Sequence, residues 1–529
     1  FNGFFSFSTL ALANEGAGYF SVIFVYMKWP IIITILLCVT LAFLTCRLMP
    51  KNSVKKDKLI AIIFLIISII SYGGARYFLG DGVDKLRWDS WNHKRNVYDS
   101  FTDTKKSFQV SGLYEYITRD IYLTYFKRKV QNKKADIKYL DDYFSSYKGI
   151  TVNNNDDEFK GIFEDKNVVF VLMESIDSWL VTEDGMLTLY NLMHSGINFT
   201  NHFSVMYGSG ATFNSEFMIN TGYTTPFNGG LAAYTYGDNV YPYSIANLFK
   251  DKGYVVNQLH YNHGNFYNRR QMAKSFGYSN YYSGRELGFM NSIKDSNFIV
   301  EEELRNLLIP DEQFMTFFVS YTAHLPYNLS SDSCSAVIDN EKDRKSTQGD
   351  EENICIYAQA KDTDKFFELL VDTLKEKEIL NDTIIVGVTD HYTYGYNNKD
   401  KLYELKGTAD QNMLDKVPFF IWGNNIPNSV ITTVNSNFDI VPTLAYLFGL
   451  DYNPKYYLGK NIFDPNYKGF VFFGDYSWYD GEVYYKNGNN VMGENVSKEY
   501  IKRKNEEINE MLDINKKVLE TNYFQTLKP

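Results

Sequence analysis

Positive charge is in short supply in this chain. Lys and Arg number 53 against 63 Asp and Glu, a formal net charge of −10 over 529 residues. The basic footprint of a nucleic-acid binder is missing, and nucleic acid is not an expected partner. Cysteine is scarce too, with four in all. Cys38 and Cys46 fall inside an apolar run, where they pack as small hydrophobes. Cys334 and Cys355 bracket a polar, charged insertion from Ser330 to Glu352 and could form a disulfide outside the cell, although spacing alone does not establish the geometry. An initial methionine is also missing. The chain begins at Phe1, so a truncated or processed N-terminus is expected. The apolar stretch Phe1 to Ala13 reads as the end of a membrane segment or as an interfacial stretch.

Long apolar runs are present near the start. Trp29 to Leu48 and Leu59 to Leu79 are nearly uninterrupted and lack a polar face, and each is close to the roughly 20 residues that span a bilayer. The loop between them carries Arg47, Lys51, Lys55, Lys56 and Lys58, and positive loops stay in the cytoplasm. A membrane region over 1–79 with spans at about 29–48 and 59–79 is therefore expected, with everything after Leu79 outside the cell. Residues 80–157 are rich in aromatic and basic residues, among them Trp88, Trp91, Arg95, Tyr114 and Arg128, and Val110 to Val130 has a helical pattern. They read as a juxtamembrane connector near the headgroups or as a linker packed on the following domain. Asn153 to Asp157 reads as a polar hinge.

From 158 to about 465 apolar strands alternate with helical patterns, which predicts an α/β domain with a mainly parallel sheet. Val168 to Met173, just after Asn167, is a continuous apolar run ending at Glu174. Phe314 to Tyr321 runs into Thr322-Ala323-His324, and Thr383 to Thr389 runs into Asp390-His391. Continuous apolar runs suit strands buried on both faces, and ligands bind beyond the carboxyl ends of such strands. Glu174 could also be a plain helix-start residue. Two carboxylates and an imidazole delivered to one rim are a ligand set for a divalent cation such as Mn²⁺ or Zn²⁺. Asp364 to Leu374 and Asp439 to Phe448 read as helices, Tyr254 to His260 and Val417 to Trp422 as strands. Residues 466–529 read as a small antiparallel subdomain followed by a charged helix over Val496 to Phe524.

The nucleophile candidate lies in Tyr207-Gly-Ser-Gly-Ala-Thr212-Phe-Asn-Ser-Glu-Phe-Met218. The two glycines allow a tight turn, and a helix starting near Ser215 places Thr212 by a helix N-terminus, where an anion such as phosphate is favoured. A metal ion lowers the pKa of such a hydroxyl enough for attack; as an alternative, Thr212 is a simple N-cap. Ser215 is expected to cap the helix start. There are seven histidines, and two of them fall in His260-Tyr-Asn-His263-Gly-Asn-Phe-Tyr267-Asn-Arg269-Arg270, just past a strand end. Histidine with a nearby Arg suits a phosphate, and an exposed solvated loop is the other reading.

Met173-Glu174-Ser175, Gly208-Ser-Gly-Ala-Thr212 with Ser215-Glu216-Phe217, His263-Gly-Asn through Asn268-Arg269, Thr322-Ala-His324-Leu-Pro-Tyr327 and Thr389-Asp390-His391 together resemble the lipoteichoic acid synthase family. These are membrane-anchored phosphoglycerol transferases of Gram-positive bacteria within the alkaline phosphatase/sulfatase superfamily. The resemblance runs in order from about Gly80 to the C-terminus. It implies a sulfatase/alkaline-phosphatase-like central sheet with helices on both faces, preceded by transmembrane helices. Glu174, Thr212, Asp390 and His391 match the metal ligands, with Thr212 also the nucleophile. His263, Tyr267, Arg269 and His324 match residues that hold glycerol phosphate. Tyr267 stands where many members have Trp, and Ala211 where many have Lys. The implied cofactor is one divalent ion, Mn²⁺ first, with Zn²⁺ or Mg²⁺ as alternatives.

The implied reaction moves glycerol phosphate from phosphatidylglycerol to a glycolipid or growing polymer through a phospho-threonine intermediate. The implied location is the cell membrane, with several spans, membrane lipids as partners and the catalytic domain outside. Phosphoethanolamine transferases and teichoic-chain ligases share the superfamily, and an inactive surface scaffold is a further alternative. The Cys/Ser-x-Pro-x-Arg motif of a sulfatase nucleophile is absent from the sequence.

Overall fold

A computed structural model of the chain describes residues 7, 29–48, 54–82, 93–101, 104–126, 133–147, 159–207, 211–226, 232–338, 350–486, 488–493 and 496–527. The expected interfacial stretch over Phe1 to Ala13, the hinge at Asn153 to Asp157, and Gly208, Ser209 and Gly210 lie outside these, Phe7 excepted. The chain forms two compact units, Phe1–Lys127 and Arg128–Pro529.

In the first unit the two apolar runs are helices, Trp29–Leu48 and Val54–Phe78. Their large side chains Leu36, Val39, Phe43, Phe64 and Ile70 are exposed. Among the described residues no helix is long and apolar enough to cross a membrane. The aromatic connector folds as short helices, Lys94–Ser100 and Thr104–Ile121, the second interrupted at Gly112 with φ 74. Arg119 joins them: its Nη2 donates to the Tyr98 carbonyl at 2.6 Å, and its guanidinium lies 4.1 Å from the Tyr98 ring centre.

In the second unit the strands are, in chain order, β1 (Asn167–Met173), β2 (Ile197–Phe199), β3 (His202–Phe203), β4 (Val255–His260), β5 (Asn280–Ser283), β6 (Phe314–Val319) and β7 (Thr383–Thr389). There follow β8 (Phe419–Trp422), β9 (Ser429–Ile431), β10 (Asn435–Ser436), β11 (Val471–Phe472), β12 (Trp478–Tyr479), β13 (Tyr484–Lys486) and β14 (Asn489–Met492). Eight of them form one sheet in the order β5-β4-β6-β1-β7-β8-β2-β9. Its pairs are parallel except where β8 runs antiparallel to β7 and β2. The mainly parallel sheet expected from the alternating pattern is therefore present, and so is the small antiparallel sheet, β11-β12-β13-β14.

β1 is central and buried on both faces, which its unbroken apolar run requires. Val168, Phe170 and Leu172 enter one core with the helices Ile245–Asp251 and Ile440–Leu447. Val169, Val171 and Met173 enter the other, against Phe366, Phe367 and Leu370 of the helix Glu351–Glu376. Six such side chains contribute roughly 10 kcal/mol of transfer free energy, which fixes the height of the strand end and hence of Glu174. On β7, Gly387 faces Phe420, whose ring lies 2.1 Å from where a Cβ would sit, so no other residue fits this register.

The structure adds detail to the region around Cys334 and Cys355 and shows the disulfide that the sequence left open. The polar, charged insertion from Ser330 to Glu352 holds the helix Asp332–Val337 and the start of Glu351–Glu376, whose Asp350 side chain accepts from the Asn353 N–H. Cys334 and Cys355 are disulfide-bonded across these two helices, with Cα atoms 5.3 Å apart.

Candidate active site at the carboxyl ends of the central strands

β1, β6 and β7 are neighbours and end at the same rim, so Glu174, Thr322-Ala323-His324 and Asp390-His391 arrive together. The last β1 rung pairs Met173 with Thr389, and the next step brings Glu174 beside Asp390. Glu174 is held by its own N–H, which donates to Ser320 Oγ at 2.8 Å at the end of β6. The Ser175 N–H donates to Asp390 Oδ1 at 2.9 Å. The helix Ala211–Thr221 points its first turn at this rim, and Thr212 Oγ1 donates to Glu174 Oε2 at 2.9 Å. Ser215 does not cap that helix; its hydroxyl donates to the Asp390 carbonyl at 2.5 Å and ties the helix to β7 instead.

Four of the nine described non-glycine residues with positive φ lie in this region: Ser175 at 54°, Ala211 at 30°, Tyr267 at 52° and Asn268 at 50°. Left-handed backbone at non-glycine residues costs free energy and gathers at functional sites. Here two of the four flank Glu174 and Thr212 directly.

Glu174, Asp390 and His391 are buried, and ligand atoms from all three lie within 4.8 Å of one another. His391 Nε2 is 3.0 Å from Asp390 Oδ2 and 3.6 Å from Glu174 Oε1. Neither Asp390 Oδ2 nor His391 Nε2 has a hydrogen-bond partner. Burial opposes a charged His391, but Asp390 and Glu174 overcome it and raise its pKa to about 9. Burial and then Asp390 push Glu174 up. Asp390 is pulled down despite its burial because His391 stands beside it. The pocket is thus built to hold positive charge. Carboxylate oxygens, one imidazole nitrogen and a neighbouring hydroxyl fit a divalent cation by donor type, and the two orphaned buried atoms fit it by position.

The remaining expected residues divide. His324 is half-buried, and its ring lies flat on Tyr321 with centres 5.2 Å apart. Its Nδ1 faces the Leu325 carbonyl at 2.5 Å, which assigns the proton of a neutral ring to Nδ1. Tyr267 packs against Phe213, next to Thr212, and the Arg269 guanidinium lies 5.3 Å from the Tyr267 ring centre. Arg269 is fully buried, with Nε donating to Glu216 Oε2 at 2.9 Å, and the other Glu216 oxygen accepts from Gln258 Nε2 at 2.6 Å. His263 stands apart: its side chain is half exposed and its Nδ1 is 3.4 Å from Glu286. The sequence reading missed Tyr394, whose ring lies 4.6 Å from His391 and which feels the charges of Glu174 and Asp390. It also missed the support Ser320, and it named Ser175 without a role. The signal was available in part, since Tyr394 follows His391 by three residues.

This architecture is an alkaline phosphatase/sulfatase-type α/β fold. The sulfatase family model matches residues 166–450, and the chain belongs to that family. Within it the chain is similar to lipoteichoic acid synthases. It is 26% identical over 421 residues to the lipoteichoic acid synthase of Staphylococcus saprophyticus, covering 70% of this chain and 63% of that protein. It is 26% identical over 390 residues to lipoteichoic acid synthase 1 of Bacillus subtilis, covering 69% of this chain and 58% of that one. The chain thus spans about three fifths of the length of these curated relatives. The crystal structure of the lipoteichoic acid synthase LtaP from Listeria monocytogenes shares the fold, with a TM-score of 0.56 at 21% identity over 72% of this chain and 98% of that one.

Proposed function

We propose that this chain is a phosphoglycerol transferase that moves glycerol phosphate from phosphatidylglycerol to a glycolipid or a growing teichoic-acid-type polymer. The observation that carries the reading is the Thr212 hydroxyl, seated at a helix N-terminus and hydrogen-bonded to Glu174 of the buried Glu174, Asp390 and His391 cluster. The similarity to lipoteichoic acid synthases favours phosphatidylglycerol over phosphatidylethanolamine as donor.

In this reading Glu174, Asp390, His391 and Thr212 hold one divalent cation, Mn²⁺ in the first instance. When bound, the cation supplies positive charge that makes the Thr212 hydroxyl acidic and offsets charge building on the phosphate. Thr212 Oγ forms a bond to phosphorus while the bond from phosphorus to the diacylglycerol oxygen breaks. Diacylglycerol leaves as an alcohol, taking up from solvent a proton in place of the one that Thr212 Oγ gives up to solvent, while His324 holds the donor phosphate. The hydroxyl of the acceptor then attacks the same phosphorus and gives up its proton, the Thr212 ester breaks, and Thr212 Oγ takes up a proton to become a hydroxyl again. Arg269 and Tyr267 line the side next to Phe213, where they orient the glycerol phosphate. His263, outside the cluster, serves the outer end of that group.

Both substrates are lipids or lipid-linked, which accounts for the two exposed apolar helices at 29–48 and 54–78 as membrane anchors. The Cys334–Cys355 disulfide suits a catalytic domain outside the cell. The test is turnover of headgroup-labelled phosphatidylglycerol by the metal-loaded protein. Release of diacylglycerol with label passing to a glycolipid supports the reading. Transfer from phosphatidylethanolamine alone contradicts it.

A further inference from the structure

The helix Glu351–Glu376 carries Cys355, Gln359, Asp362 and Thr363 at spacings that put them on one stripe. At its start Cys355 is bonded to Cys334. One turn on, the fully buried Gln359 donates through Nε2 to the carbonyls of Thr322 at 2.7 Å and His324 at 3.0 Å. Ser333, next to Cys334, donates to the same His324 carbonyl at 3.1 Å and lies 2.9 Å from Gln359 Nε2. A further turn on, Asp362 accepts from Thr322 Oγ1 at 2.7 Å, and Thr363 Oγ1 donates to Asp295 at 2.8 Å. Asp295 in turn accepts from the Tyr321 N–H at 2.7 Å. All these bonds converge on the Tyr321–His324 turn, which has left the β6 ladder and needs partners for its buried backbone groups.

We infer that Gln359 is a positioning residue for His324, and that the Cys334–Cys355 bond is the tie that keeps it in place. The inference rests on the proposed role of His324 toward the donor phosphate. Each half of the disulfide stands within one turn of a donor to the His324 carbonyl: Ser333 on one side, Gln359 on the other. The amide of Gln359 reaches two carbonyls at once because its NH₂ has two hydrogens. Leu fills similar space but donates to neither carbonyl. The His324 carbonyl then keeps Ser333 as its remaining side-chain donor and the Thr322 carbonyl loses its bond to Gln359, while Glu174, Asp390 and His391, just past the ends of β1 and β7, keep their supports.

The experiment uses the full chain. Steady-state kcat and KM for phosphatidylglycerol, with bound metal, are measured for wild type, Gln359→Leu, His324→Ala and the double variant. Gln359→Leu is expected to raise KM about tenfold or more, since small misplacements of a binding group are costly. Metal content should stay at the wild-type level and kcat should change less than KM. In the His324→Ala background Gln359→Leu should have no further effect, because the two act as one unit. An unchanged KM, or the same rise in both backgrounds, overturns the inference. If Gln359→Leu does not fold, Ser333→Ala and the paired Cys334→Ser, Cys355→Ser variant take its place with the same expected and overturning results. If wild type turns over no phosphatidylglycerol, the functional reading fails, and the histidine ring resonances of the full chain still decide this inference. The His324 signal must move in these variants while that of the distant His202 does not; an unmoved His324 signal overturns it.

Discussion

Asp390 Oδ2 and His391 Nε2 lie 3.0 Å apart, both buried, and neither makes a hydrogen bond. A buried polar atom left unsatisfied costs about 1–3 kcal/mol, so two side by side mark a place where a ligand completes the structure. Asp390→Asn removes one negative charge and one oxygen donor. We expect it to weaken binding of the divalent ion at least about 100-fold and to lose transfer activity in step. Elemental analysis of the purified variant checks this. Full occupancy in an inactive variant would show that Asp390 is not a ligand.

Arg269 is buried and paired with Glu216. Arg269→Ala leaves the Glu216 carboxylate uncompensated in the core. Loss of one partner of a buried pair costs about 3–5 kcal/mol, so the variant should be strongly destabilised as well as defective in turnover. Denaturant titration gives the figure. A loss of activity with unchanged stability would mean the ion pair does not hold the Arg269–Phe276 helix in place.

Burial and the neighbouring Asp362 raise the pKa of Asp295 from 3.8 to about 7, against hydrogen bonds from Tyr321, Thr322 and Thr363. Because the folded value lies above the unfolded one, the stabilisation is complete below about pH 4 and is lost as the pH rises through 7. The loss is on the order of 4 kcal/mol at most. Asp295→Asn mimics the protonated acid and cannot titrate. Melting temperatures across pH 4 to 8 should therefore fall less steeply for the variant than for wild type. Parallel profiles would rule out Asp295 as the titrating group.

The parts of the fold readable in advance were those with strong local patterns. β1 and β7 have the bounds their apolar runs predict, because a strand buried on both faces is written as an unbroken run. The same rule gives no direction, so the antiparallel β8 looks like any other buried strand. β2 and β9, at three residues each, are too short to carry a period. The Glu351–Glu376 helix was found only from Asp364 onward, since its first turns are polar toward solvent and its Gln359 and Asp362 look like surface residues in sequence. They are interior partners of a distant turn, a fact local pattern does not encode. The cluster of Glu174, Asp390 and His391 was legible because three strand ends announce it. Tyr394 and Ser320 were not, because a Tyr or Ser after a strand has many ordinary uses.

The proposed membrane topology places the basic loop from Arg47 to Lys58 in the cytoplasm. A single cysteine at Ser53, in a background with Cys38 and Cys46 replaced by Ser, should resist an impermeant thiol reagent in intact cells and react after lysis. Labelling in intact cells would invert the topology and put the catalytic unit on the wrong side for an extracellular polymer.

The central claim is that Thr212 becomes the covalent carrier of glycerol phosphate. Thr212→Ala removes the attacking oxygen and little volume, so the fold should survive while donor turnover drops to near background. The direct measurement is mass spectrometry of wild-type protein exposed to phosphatidylglycerol without an acceptor. The account predicts a glycerophosphoryl adduct on the peptide that contains Thr212, absent from Thr212→Ala. An adduct mapped to Ser209 or Ser215, or near-normal turnover by Thr212→Ala, would contradict it.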